Sequence, residues 1–215
     1  MWLTAVDTNM PVMDPPVRQV TVPVDSRAPT GRTNAYLVGS EEAVLIDPAD
    51  ETRELTELLD SHPPEHLAVT HTHRDHVGGV ATYAVQFDVT VWALTGFEDR
   101  FTEATGHRPG ATFESGETIG PVEPVPTPGH AADHVAFGLG NKAVVGDLAV
   151  ADGSVFVGGR DGDLRDYLTS LETVKDRGYD RLLPGHGPTI SSPAGTIDRL
   201  LDHRLARENR VRSAV

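Results

Sequence analysis

The sequence predicts an α/β fold in which two packed sheets carry helices on both outer faces. Three observations predict it. Strand-like apolar stretches are interspersed with amphipathic helical ones in the first half of the chain, and the same order recurs in the second. Each helical stretch has an apolar face that a sheet must cover. No repeat, low-complexity tract or linker divides the 215 residues, so residues 17–215 are expected to form a single domain.

Residues 1–16, with Pro11, Pro15 and Pro16 and no clear period, are expected to be a loosely held lead-in. "VRQVTVPVD" then alternates as a strand, and "TNAYLVGSEEAVLIDPAD" reads as a hairpin turning at "GSEE". "ETRELTELLDS" opens with acids and spaces Leu55, Leu58 and Leu59 on one helical face. "HLAVT" is a buried strand, followed by a helix in "VGGVATYAVQF", a strand in "VTVWAL" and a helical "GFEDRFTEAT". A Gly/Pro-rich passage leads to "PVEPVPTPGH". "HVAFGLGNKAVVGDLAV" is a second hairpin, turning at Gly140–Asn141. In "LRDYLTSLETVKDRG" the leucines 164, 168 and 171 mark the expected buried face. "DRLLPGHG" runs from a strand into a loop, and "PAGTIDRLLDHRLARENRV" is a closing helix.

Composition narrows the chemistry. With no cysteine, disulfides, thiolate metal sites and cysteine nucleophiles are excluded, and any metal must be held by His, Asp or Glu. No apolar run reaches the roughly 20 residues of a membrane span. The N-terminal stretch lacks the pattern of a signal peptide, so a cytoplasmic protein is expected. A net charge of −14 argues against a large nucleic-acid or anionic-membrane footprint. Only Lys142 and Lys175 are lysines, and the acids lean to aspartate; such an acidic, lysine-poor surface predicts a halophilic protein.

The densest chemistry lies in "VTHTHRDHVGG". His71 and His73, two apart, point the same way from an extended backbone, while Asp75 and His76 follow as the chain turns, a geometry suited to two adjacent metals. Further on, "TPGH" places His130, "VVGD" places Asp147 and "LLPGHG" places His186. All these sites lie just past the C-terminal end of a predicted strand, where sheet proteins gather functional groups. A carboxylate such as Asp147 at the end of an apolar strand is costly to bury without a partner. Asp47, in "LIDPAD", reads either as a strand-end turn former or as a support for a ligand histidine. His62, His66, His107 and His203 read as surface or packing residues.

"HTHRDH", "TPGH", "GD" and "PGHG", in this order, resemble the metallo-beta-lactamase superfamily, with "TNAYLV" and "VLIDPA" extending the likeness from about Val17 to the end. The resemblance implies a four-layer αββα sandwich and two divalent metal ions, zinc first, with manganese or iron as alternatives. By matching motif, His71, His73 and His130 would hold one metal; Asp75, His76 and His186 would hold the other; and Asp147 would bridge them. It implies a binuclear metal-dependent hydrolase in which a hydroxide shared by the metals attacks a small acyl substrate of thioester type, with Asp75 as catalytic residue orienting the nucleophile. "TPGHAADH" and "LLDHRLARENRV" are similar to the glyoxalase-II-like group that includes beta-lactamase-like protein 2. In those relatives a winged-helix-like domain follows the "HRLARE" helix, where this chain ends at Val215, so no specific substrate is carried over. Arg160 reads as a contact for an anionic substrate group or as a solvated surface residue, and His134 reads as a candidate lining of the cleft. The alternatives within the resemblance are an endoribonuclease or phosphodiesterase and a mononuclear-iron persulfide dioxygenase.

Overall fold

The computed structural model describes residues 14–25, 28, 30–159 and 161–213, with side chains to residue 207. Most of the expected lead-in, residues 1–13, lies outside the described residues, as does Arg160.

The first sheet orders its six strands as in the sequence: β1 (Val17–Pro23), β2 (Arg32–Val38), β3 (Val44–Ile46), β4 (His66–Ala68), β5 (Thr90–Leu94) and β6 (Ala111–Phe113). β1 to β3 are antiparallel, with Tyr36 opposite Ile46 in the second pairing, and β3 to β6 are parallel. The second sheet runs β10 (Arg181–Pro184), β9 (Lys142–Gly146), β8 (Val135–Leu139), β7 (Glu123–Pro126). There β10 is parallel to β9 and the remaining pairs are antiparallel.

Period-two patterning divides the interior into three apolar layers. On β2, Ala35 and Leu37 face outward to the helices α1 (Arg53–Ser61), α3 (Val80–Phe87) and α4 (Glu98–Thr105), meeting Leu55, Leu59, Tyr83 and Phe101. Tyr36 and Val38, between them in sequence, face the second sheet and meet Val135, Phe137 and Val144. On β9, Ala143 and Val145 face the other way, toward Tyr167, Leu171 and Val174 of α5 (Leu164–Asp176) and Ile197 and Leu200 of α6 (Pro193–Ser213). Three layers between four tiers make an αββα sandwich. No helix among the described residues is long and apolar enough to cross a membrane.

Three local features depart from the sequence reading. A short helix, α2 (Arg74–Val77), forms inside the histidine motif, where only a turn was expected. β6 arises in the Gly/Pro-rich passage; its three residues pair with Trp92, Ala93 and Leu94, and so short a strand has no period to read. On α5 the buried face is Tyr167, Ser170, Leu171 and Val174, while Leu164 is 38% exposed. The face is set by Tyr167, whose hydroxyl donates to the Leu148 carbonyl (2.9 Å) beneath the helix, and not by leucine spacing.

Candidate metal centre

The residues singled out in the sequence gather at one edge of the sandwich, where β3, β4, β7, β9 and β10 end. His71 and His73 follow β4; Asp75 and His76 lie on α2; His130, Asp147 and His186 follow β7, β9 and β10. They form three interlocking groups whose ligand atoms lie within 4.8 Å of one another: His71, His73 and His130; His71, His76 and Asp147; Asp75, His76 and His186. The Asp147 carboxylate sits between them, 3.4 Å from His130 Nε2, 3.6 Å from His76 Nε2 and 3.3 Å from His186 Nε2.

Four of the five histidines are gripped from behind. The Thr70 hydroxyl donates to Asp47 Oδ2 (2.8 Å), so it accepts from His71 Nδ1 (3.1 Å) and leaves His71 Nε2 without a proton. His76 Nδ1 donates to Asp47 Oδ2 (2.9 Å), His130 Nδ1 to the Phe156 carbonyl (2.8 Å) and His186 Nδ1 to the Arg32 carbonyl (2.8 Å). Where such a ring is neutral, as at His71 and His130, it aims a bare lone pair inward. His73 Nδ1 lies 3.0 Å from His71 Nε2 and 2.9 Å from His130 Nε2, so one ring proton at most serves three crowded nitrogens. His76 Nε2, His186 Nε2 and Asp147 Oδ1 are buried and have no hydrogen-bond partner. Ring nitrogens and carboxylates pressed together with so few hydrogen bonds are what a bound cation resolves, and the donor set of nitrogen and carboxylate oxygen suits zinc, manganese or iron. The residues fit metal ions.

The same crowding sets the electrostatics. Burial holds His71 and His130 below the ordinary imidazole range, so both are neutral near pH 7. Burial also opposes a charge on His76 and His186. It is outweighed by Asp47 and Asp147 at His76, which titrates well above its usual range, and by Asp147 and Asp75 at His186, which is raised to about 9. Asp147 is buried, yet His186 and His76 keep its carboxyl well below the usual range.

Apart from Asp47, supporting residues come from places the motifs do not flag. Asp47 adopts a left-handed conformation (φ 53°) at the end of β3 and is fully buried. Besides His76, its carboxylate accepts from the Thr70 N–H (2.6 Å), so it serves both as turn former and as histidine support. Asn34 on β2 donates to the Pro184 and Gly187 carbonyls (3.0 and 2.9 Å), and the Tyr36 hydroxyl donates to Pro184 (2.7 Å), latching the His186 loop to the first sheet. His134 does not line the cleft: it is fully buried behind Asp147, with burial lowering it to about 3. Its Nε2 accepts from the Asp147 N–H (3.2 Å), which places the ring proton on Nδ1 facing Thr127 Oγ1 (2.8 Å). The signal for these supports is spread over distant polar residues, so only Asp47, beside a strand end, stood out in the sequence.

The centre opens into a cavity of about 1050 Å³, with His73, Asp75, His130, Asp147 and His186 on its floor. Val150, Ala151, Val155 and Phe156 form an apolar wall, and Phe156 is 75% exposed.

Comparison with known proteins agrees with this geometry. The sequence profile of the metallo-beta-lactamase superfamily matches residues 28–186. A beta-lactamase-like protein 2 homologue of Drosophila melanogaster is 32% identical over 202 residues, covering 83% of this chain and 66% of its own. The thioesterase pkgB of Emericella nidulans is 32% identical over 189 residues, covering 83% of this chain and 53% of its own. The chain thus spans between about half and two thirds of the length of these curated relatives. Among solved structures, a di-iron-bound form of TTHA1623 superposes with a TM-score of 0.66 at 30% identity, over 87% of this chain and 97% of that one. On fold, motif order and profile match together, the chain belongs to the metallo-beta-lactamase superfamily.

Proposed function

We propose that the protein is a binuclear metal-dependent hydrolase of small acyl substrates, thioesters first. The observation that carries this is the gathering of ring nitrogens from His71, His73, His76, His130 and His186 with the Asp75 and Asp147 carboxylates in three interlocking groups at the floor of an open cavity. Two divalent cations held there would lower the pKa of water to near neutral and polarise a substrate carbonyl.

The chain's own residues supply the rest. Burial favours a neutral Asp75, but His186, 3.4 Å away, and His76 hold its carboxyl below the usual range. It is therefore an ionised acceptor at the cavity floor, able to orient a water and take its proton. Val150, Ala151, Val155 and Phe156 exclude water along one side and match an apolar acyl chain. The lining carries Asp25 and Asp152 against the single arginine Arg74, a balance that disfavours a polyphosphate chain. A thioesterase among the relatives supports the same substrate class, and a di-iron structure among the neighbours supports a two-metal centre, here with zinc, iron or manganese.

The test is metal content by element, followed by turnover of acyl thioesters and of RNA at one salt concentration. About two metal equivalents with thioester cleavage are expected. Two equivalents with RNA cleavage alone would replace the substrate class, and one equivalent of iron alone would replace the binuclear centre.

A further inference from the structure

Beside the histidines lies a polar cluster that the proposed chemistry does not use. Its hub is Arg100 on α4. Arg100 Nε donates to Thr72 Oγ1 (2.7 Å), and Nη1 and Nη2 donate to Asp161 Oδ1 and Oδ2 (2.7 and 2.5 Å). Nη2 also lies 3.1 Å from Asp133 Oδ1. The Thr72 N–H and hydroxyl both donate to Asp133 Oδ2 (3.1 and 2.6 Å), and the Ala132 N–H donates to Asp161 Oδ1 (3.2 Å). One guanidinium thus ties α4, the residue between His71 and His73, the loop after His130 and the loop before α5. A planar fork engaging a carboxylate at two points fixes orientation as well as distance.

The cluster meets the metal-binding residues at one pair of atoms: Asp161 Oδ2 lies 3.3 Å from His73 Nε2. His73 differs from its four companions in two ways. It turns Nδ1 inward where they turn Nε2, and its outer nitrogen faces a loop carboxylate, where His71, His76, His130 and His186 are held by Thr70, Asp47 or a backbone carbonyl. Its side chain is also 35% exposed, so packing alone does not fix the ring.

We propose that Asp161, clamped by Arg100, is a positioning residue for His73: its carboxylate holds the ring proton on Nε2 and so keeps the Nδ1 lone pair turned toward His71 Nε2 and His130 Nε2. The inference rests on reading the histidine cluster as a metal centre. Outer partners of this kind are worth roughly 10- to 100-fold in metal affinity.

The experiment compares the wild-type chain with Asp161→Ala and Asp161→Asn, each checked for a native circular dichroism spectrum. Zinc is titrated against a competing chelator, and the ring nitrogens of His73 are read by ¹⁵N NMR in the metal-free proteins. The expected result is a 10- to 100-fold loss of affinity confined to one of the two zinc equivalents. The His73 signals should also move from one tautomer to a mixture while those of His71 and His130 stay fixed. A wild-type titration without zinc binding would overturn the metal reading, yet the metal-free spectra would still decide the role of Asp161. Unchanged affinity with unchanged His73 signals would overturn the proposal, as would an equal loss at both equivalents with no change in tautomer. Should the alanine variant not fold, the asparagine variant, which keeps the volume and loses the charge, carries the same two outcomes.

Discussion

At the scale of single residues, the centre joins two kinds of histidine. His71 and His130 are neutral at pH 7 because burial disfavours their charged form, whereas His76 and His186 hold protons because Asp47, Asp75 and Asp147 surround them. In the metal-free protein, protons therefore stand where the second cation would bind, and binding must expel them. Because both pKa values are raised, affinity at that site should climb with pH through about 9, where His186 loses its proton. His71 and His130, already neutral, should release few protons on binding. Calorimetry in buffers of different ionisation enthalpy measures the released protons directly; equal release for both equivalents would contradict the assignment.

At the scale of elements, the edge that gathers the candidate ligands depends on loops held close to helices. The loop carrying His130 lies against the start of α5: the Asp163 N–H donates to the Gly129 carbonyl (2.9 Å), and Asp163 caps the helix by accepting from the Arg165 and Asp166 N–H groups. Gly129 has φ 131°, and a Cβ there would stand 2.2 Å from the Tyr167 nitrogen. Gly129→Ala should therefore push His130 and α5 apart, costing about 1–3 kcal/mol in denaturant unfolding and weakening metal binding together. A variant with native stability and native zinc affinity would show that the loop has slack. Gly185 is under the same constraint from the other side, since its Cβ would meet His76 Cε1 at 2.7 Å and Asp147 Oδ1 at 2.9 Å.

At the scale of the whole molecule, charge dominates. A net charge of −14 with two lysines creates self-repulsion that salt relieves. Ordinary screening is nearly complete by about 0.15 M salt, where the Debye length is about 8 Å. A halophilic protein should keep gaining stability well beyond that, into molar potassium chloride. Thermal unfolding across that range tests the expectation; a midpoint flat above about 0.2 M would assign the composition to an ordinary acidic surface.

The sequence by itself determined the sandwich, the strand order of each hairpin and the inventory of candidate ligands, because period-two and period-3.6 patterns are local and because His, Asp and Gly at strand ends are legible one segment at a time. It also placed the candidate ligands at strand ends before any contact was known, since His71, His130, Asp147 and His186 each follow an apolar strand. Tertiary structure alone decided which nitrogen each histidine presents, because the groups that fix the proton come from distant segments: Asp47 for His76, Phe156 for His130, Arg32 for His186. It moved His134 from the cleft wall to a buried support of Asp147. It also brought forward Arg100 and Asp161, 61 residues apart, which no motif marks. Hydrogen bonds between side chains have no sequence period, so such supports become visible only when the chain has closed on itself.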